Sequence, residues 1–422
     1  MKQRILNAVE SPRELEILYR ENPDAFTRAF AEAYSECSDS VVLNVWRERL
    51  FFTAAVESAQ GEAGWRSRDI WIVVLLSALA GTLTKIPQFF PSSFIREDAF
   101  YARNLGGIVL GALIACIFIF KPCRLRVVVN VSGLLCGSLI FLNLLPEIHQ
   151  SQTITLSCMH MPFFFWSLLG VAFVGGHWGD LRRRMDYIRY NGELLIYTTI
   201  ILIGGMVLTG LTLALFNIIG MRIQKWYLNY VVVYGSIAAP IVATLLIERI
   251  TGTRSRIAPI LAKIFTPLFL GTVIVYMAVM ILGHNSPYTD RDFLIVFNGL
   301  LLFVLGMSVL SISERGSTET VSIADLMSIG LVLVTLAVDV IALSAILFRL
   351  TTYGFTPNRL AVLGANLLAF GHLSGIVWHY QRFLRRKNGF DVLDRWIVRY
   401  LPVYTVWTVV VGFGFPFFVW FQ

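Results

Sequence analysis

Asp339 is the residue of this chain most able to do chemistry, because of where it stands. It interrupts the apolar run LVTLAVDVIALSAIL, residues 333–347. An ionisable side chain inside a membrane span costs about 2.5–3.5 kcal/mol on insertion scales, so it should face the interior of a helix bundle and have polar company. Depth arithmetic identifies that company. With a span beginning near residue 325 and a rise of 1.5 Å per residue, Asp339 lies about 21 Å along it, or about 9 Å from the far edge of a ~30 Å hydrocarbon core. Asn298, on a span entering near 292, lies about 9 Å deep, and Asn366, on a span entering near 358, about 12 Å deep. Thr335 is one turn from Asp339 on the same face. Two readings fit these four residues: an ion- or proton-binding site in one half of the membrane, or a hydrogen-bonded cluster that locks three helices together.

Other residues extend either reading. His372 and His379 are seven apart, hence on one helix face, and neutral imidazoles can pass protons; together they form a candidate proton relay. Packing histidines are the simpler account. His177 and Asp180 have the i, i+3 spacing of a metal pair, but no third ligand follows, and an interfacial anchor explains them as well. The basic runs Arg182-Arg183-Arg184 and Arg385-Arg386-Lys387 are candidate contacts for acidic lipid headgroups, or ordinary topology signals. Gly107/Gly111, Gly133/Gly137 and Gly371/Gly375 recur at spacing four and permit close helix approach. The five cysteines form no C-x-x-C pair and have no histidine at ligand spacing, so no metal site and no disulfide framework is expected. There is no phosphate-binding Gly-rich loop, no H-E-x-x-H and no nucleophile elbow. No catalytic residue and no cofactor are therefore assigned, and an enzyme is the less favoured class.

The elements that must position these residues follow from composition. The 422-residue chain is 56% hydrophobic and only 15% charged, against about 25% charged in soluble domains. The fold class is thus all-α, a polytopic transmembrane helix bundle (residues 66–422) behind a small helical soluble segment (residues 1–65). About eleven spans are expected, at 70–86, 105–120, 125–145, 161–180, 193–219, 225–247, 262–283, 292–312, 325–348, 358–380 and 400–421. Pro240, Pro267 and Pro416 interrupt three of them. The N-terminal segment reads as about three helices, with Ser11 as a cap, a restart at Asn22-Pro23-Asp24, and a third helix near Ser40–Ser58 whose apolar face runs from Val42, Leu43 and Val45 to Trp46, Leu50 and Phe51.

The net charge is +8. The basic residues cluster between apolar spans, so they indicate membrane topology and anionic lipid, with no nucleic-acid partner. With the N-terminus in the cytoplasm, four of five cytoplasmic loops are basic. The exception is 313–324, which holds only Arg315. The C-terminus then lies on the opposite side. The weakest link is MRIQK at 221–225, which would place Arg222 and Lys225 outside.

The stretch RLTTYGFTPNRLAVLGANLLAFGHL, residues 349–373, resembles a feature of an uncharacterised bacterial membrane family, the domain-of-unknown-function 4153 group. LEILYRENPDAFTRAF and VWRERL near the N-terminus are similar to soluble heads of some members. The resemblance implies a bacterial multi-pass protein of the inner membrane and assigns no activity or residue role. Within the stretch itself, Gly354 should break the chain, Thr356 should cap and Pro357 should start the next helix.

Three functions follow. The first is a transporter or channel for an ion or small solute, centred on Asp339, Asn298 and Asn366. The second is a signalling or assembly protein whose N-terminal helices bind a cytoplasmic protein partner. The third and weakest is a lipid- or envelope-modifying enzyme.

Overall fold

The architecture comes from a computed structural model, which describes all residues except 10, 38–39, 61–66, 92–93, 147, 149–150, 219–220, 251–265, 268–269, 272, 275–276, 279–290, 314, 316–322, 386–388 and 419–422. Among the described residues every regular element is helical. The chain divides into two compact units, Met1–Ile70 and Trp71–Gln422.

The first unit holds four helices: α1 (Lys2–Asn7), α2 (Pro12–Glu21), α3 (Pro23–Glu36) and α4 (Val41–Gln60). The sequence reading finds the last three and omits the short α1. Ile5 of α1 is nevertheless fully buried, in one core with Leu15, Leu18, Phe26, Phe30, Ala33, Leu43 and Trp46. Asn22 caps α3, its side chain accepting from the Ala25 N–H at 3.0 Å, and Ser40 Oγ accepts from Leu43 N–H. Ser11 holds the cap position of α2 but makes no side-chain cap bond. Val45 does not join the core. It lies on the exposed side of α4 with Val41.

The second unit begins with the remainder of α5 (Ser67–Thr84), followed by α6 (Glu97–Phe120), α7 (Leu125–Leu144), α8 (Gln152–Val174) and the long α9 (Leu181–Ile218). After α10 (Gln224–Tyr227) a π-helical turn, Leu228–Val232, leads into α11 (Val233–Ile250). Then come α12 (Arg291–Ser313), α13 (Ile323–Tyr353), α14 (Pro357–Leu384) and α15 (Asp391–Val409), the last passing through a second π-helical stretch, Val410–Gly414, into α16 (Phe415–Phe418). Nine helical stretches among the described residues are long and apolar enough to cross a membrane. Most of the expected span at 262–283 lies outside the described residues, as do Arg386 and Lys387.

Several boundaries differ from the hydropathy reading; α6, expected at 105–120, already begins at Glu97. The helix expected at 161–180 runs from Gln152 to Val174. Its polar first turns escape a hydropathy reading because Thr155 and Ser157 return their hydroxyls to the carbonyls four residues back, Ser151 O and Thr153 O, which satisfies them within the helix. Gly175, at φ +65°, then ends it in the left-handed conformation that favours glycine. The segment 181–192, expected as a loop, is the helical start of α9. Asp180 caps it, accepting from the N–H groups of Arg182 and Arg183. Finally, the terminal helix starts at Asp391, nine residues ahead of the expected 400, with polar first turns that include Asp391 bound to Arg395. The π-helical stretch falls just before Pro416, where the missing N–H must be accommodated.

The two largest of several cores hold most of the unit. One gathers α6, α7, α8, α9 and α11 around Cys116, Ile117, Phe165, Leu169 and Ile241. The other gathers α12 to α15 around Leu373, Ile376, Tyr380 and Ile397, with Met185 and Ile188 from α9. The link from α13 to α14 follows the local reading of the sequence: Gly354 has φ +78°, Thr356 Oγ1 accepts from Arg359 N–H, and Pro357 opens the helix.

Candidate functional site

The polar residues singled out from sequence lie on α12, α13 and α14. Asp339, on α13, is 0% exposed, and neither carboxylate oxygen has a hydrogen-bond partner among the described residues. Asn366, on α14, donates from Nδ2 to Asn298 Oδ1 of α12 at 2.8 Å and to Val362 O at 2.8 Å, while its Oδ1 has no partner there. Thr335 spends its hydroxyl on Leu331 O at 2.7 Å, one turn back in α13. The structure therefore brings Asn298 and Asn366 together as an interhelical pair. Neither they nor Thr335 hydrogen-bond Asp339.

His372 is buried on the same helix as Asn366. Its Nδ1 lies 2.9 Å from Tyr404 Oη of α15. The ring stacks on Tyr400 at 4.5 Å with an interplanar angle of 12°, and Nε2 has no partner among the described residues. His379 lies against Trp396, ring centroids 5.4 Å apart. Trp396 also donates to His372 O at 3.2 Å, so its indole fills the stretch of helix face between the two histidines.

An aromatic ladder on α15 and a glycine-lined face on α14 create this arrangement. Trp396, Tyr400, Tyr404 and Trp407 recur at spacings of four, four and three, which puts them on one side of a helix. They meet α14 where it lacks side chains. A Cβ on Gly364 would stand 2.0 Å from the Trp407 ring, one on Gly371 2.8 Å from Tyr400 Oη, and one on Gly375 2.1 Å from Trp396. Gly371 and Gly375 thus serve helix approach within the bundle, and so does Gly107, against Leu139. Gly133 and Gly137 have nothing within 4 Å of a built Cβ.

A second constellation was not assigned from sequence. Arg315 Nε and Nη2 bind Asp325 Oδ1 and Oδ2 at 2.6 and 2.9 Å. Tyr380 Oη donates to the same Oδ1 at 2.8 Å, and the guanidinium lies over the rings of Phe383 and Phe390. The one Lys or Arg of 313–324, Arg315, is thus drawn into a nearly buried pair. Asp325 and Asp339 are both on α13, 14 residues or about 21 Å apart.

The basic run after α8 is partly occupied by the protein itself. Arg183 bonds His177 Nδ1 and Val174 O and pairs with Asp180. Arg184 donates to Trp178 O and covers the Trp178 ring at 4.5 Å. His177 and Asp180 belong to this helix-corner network. Arg182 and Arg385 are exposed.

In comparisons with protein-family models, curated proteins and solved structures, nothing matches the chain. The apolar helical bundle indicates an integral membrane protein.

Proposed function

We propose that this protein is a multi-pass transporter or channel for an ion or small solute, with Asp339 as the group that engages the moving species. One observation carries the reading: a completely buried carboxyl, mid-helix in a span, whose two oxygens find no partner among the described residues. A structural aspartate in such a place should recover its insertion cost through hydrogen bonds. The interhelical bond is instead made by the neutral Asn298–Asn366 pair. An unpaired buried carboxyl is satisfied by taking up a proton or by holding a cation, and both are steps of transport.

Eleven spans, a cytoplasmic N-terminus and an opposite C-terminus fit the loop charges, in a bacterial inner membrane as the resemblance at 349–373 suggests. Arg182 and Arg385, at helix ends, suit lipid headgroups. The test is flux: full-length wild type and Asp339→Asn are reconstituted in phosphatidylethanolamine/phosphatidylglycerol vesicles and followed with proton-, sodium- and potassium-sensitive dyes. Wild-type flux of one of these ions that is lost in Asp339→Asn supports the reading. Equal behaviour of the two proteins for all three ions contradicts it.

A second reading, in which the N-terminal unit docks a protein partner, rests on Ile17, Val41 and Val45, which are exposed on that unit.

A further inference from the structure

We propose that the groove between α8 and α15 binds one anionic phospholipid, its acyl chain along the groove and its phosphate at Arg399, beside Arg184. No residue of this site is on α13, so it holds whether or not Asp339 handles an ion.

The groove is a cavity of about 300 Å³ lined by Leu168 and Val171 of α8, by Trp178, and by Pro402, Val406 and Val410 of the terminal helix. Its hydroxyls are engaged within the protein: Thr405 Oγ1 donates to Ser167 Oγ at 3.0 Å, and Ser167 Oγ to Phe163 O at 3.0 Å. Pro402 shapes one end. It has no N–H, so Val398 O, four residues back, is left without its helical donor. Arg184 Nη1, from the start of α9, donates to that carbonyl at 3.5 Å. Arg184 also donates to Trp178 O and lies 4.5 Å from the centre of the Trp178 ring. One guanidinium thus ties Trp178 to α15 at the head of the groove. Arg399 is the next residue. Arg399, Pro402, Val406 and Val410 recur at spacings of three, four and four, on one side of the helix, so Arg399 heads the stripe that lines the groove. Its side chain is exposed and makes no ion pair among the described residues. Asp180 is paired with Arg183, Asp186 with Arg189 and Asp391 with Arg395. Asp394, five residues before Arg399, is on a different side of the helix.

Size and charge fit one occupant. Arg399 to Val410 spans about 16 Å at 1.5 Å per residue, about half of a ~30 Å hydrocarbon core and hence one leaflet. An apolar trough one leaflet deep that ends at a tryptophan and two arginines matches a single amphiphile. Tryptophan is the residue of the membrane interface, and a guanidinium fork suits a phosphate. The uncompensated charge selects the headgroup. Phosphatidylethanolamine would bring its own ammonium beside Arg399, whereas phosphatidylglycerol brings net negative charge. Arg184 and Arg399 come from two of the basic segments that loop charge places on the cytoplasmic side, which makes the leaflet the cytoplasmic one.

The experiment is native mass spectrometry of the full chain in detergent, titrated with phosphatidylglycerol or phosphatidylethanolamine of the same acyl chains. It counts bound lipids and copies of the protein in one spectrum. Wild type should bind its first phosphatidylglycerol at least fivefold more tightly than phosphatidylethanolamine. Arg399→Gln should lose about fivefold for phosphatidylglycerol alone, the effect of one basic residue at an anionic headgroup layer, and Arg399→Lys should keep the preference. Val406→Trp, at an exposed lining position, fills the trough and should weaken both lipids; Val409→Trp replaces it where it does not assemble. Equal affinity of wild type for the two lipids overturns the site. So does a preference that survives in Arg399→Gln, which places it at other arginines. A loss in Arg399→Gln with none in the folded tryptophan variants overturns the trough as the seat of the chain. A wild-type dimer that the tryptophan variants separate overturns the lipid in favour of a second copy of the protein.

Discussion

Arg315 and Asp325 meet in a two-point ion pair from which solvent is nearly excluded, the side chains being 11% and 3% exposed. The pair joins the segment after α12 to the start of α13, and Tyr380 extends it to α14. Removing one member of a buried pair leaves the other charge uncompensated, at a cost of about 3–5 kcal/mol. Arg315→Met and Asp325→Leu should each lower the unfolding midpoint in detergent markedly, and the double variant should recover most of the loss. A double variant as unstable as the sum of the singles would show that the pair is not one unit.

The glycines of α14 should be far less tolerant than those of α7. Gly375→Ala places a methyl carbon 2.1 Å from Trp396, and overpacking of this kind costs about 1–3 kcal/mol. Gly137→Ala meets nothing within 4 Å and should be neutral or gain up to about 1 kcal/mol from helix propensity. Thermal unfolding of the two purified variants compares them directly.

The N-terminal unit should loosen in acid through Glu16. Hydrogen bonds from Arg49 first and Arg20 second hold the Glu16 carboxyl below its ordinary range. A carboxyl whose folded value is depressed stabilises the folded state above its unfolded value, about 4.3, and that contribution disappears as pH falls through the folded value. Hydrogen exchange in the full chain should therefore show α2 and α4 losing protection below about pH 4.3 in wild type, with the step absent in Glu16→Gln. A step of equal size in Glu16→Gln would assign it to other groups.

How far the sequence reaches is uneven for physical reasons. Hydropathy locates spans wherever apolar side chains face lipid, so α7 and α13 lie close to their expected places. It misplaces the starts of α8 and α15, where Thr155, Ser157 and Asp391 satisfy themselves locally and the helix continues through polar residues. Depth arithmetic pairs Asn298 with Asn366, because rise per residue is nearly constant in a helix. It cannot give side-chain direction, and so it does not reveal that Asp339 stands apart from them. The ladder Trp396–Tyr400–Tyr404–Trp407 against Gly364, Gly371 and Gly375 was legible as spacing, but only the fold shows that the two faces meet. Nothing local in sequence signals that Arg315 finds Asp325 across ten residues, or that Asp325 finds Tyr380 across fifty-five.

Asn366 and Asp339 should separate structure from function. Asn366→Ala removes an interhelical bond of the kind worth about 1 kcal/mol in membranes, and should lower the unfolding midpoint while leaving part of the flux. Asp339→Asn removes no hydrogen bond among the described residues and should leave the midpoint where it is. A midpoint that falls further in Asp339→Asn than in Asn366→Ala would make Asp339 the structural member of the two.

The most direct test is the ion flux per folded molecule of Asp339→Asn, measured in vesicles on the same preparation whose unfolding midpoint has been recorded. An unchanged midpoint with flux abolished is the predicted result. Wild-type flux in the folded variant, or a variant that loses flux only because it fails to fold, would contradict a working role for Asp339.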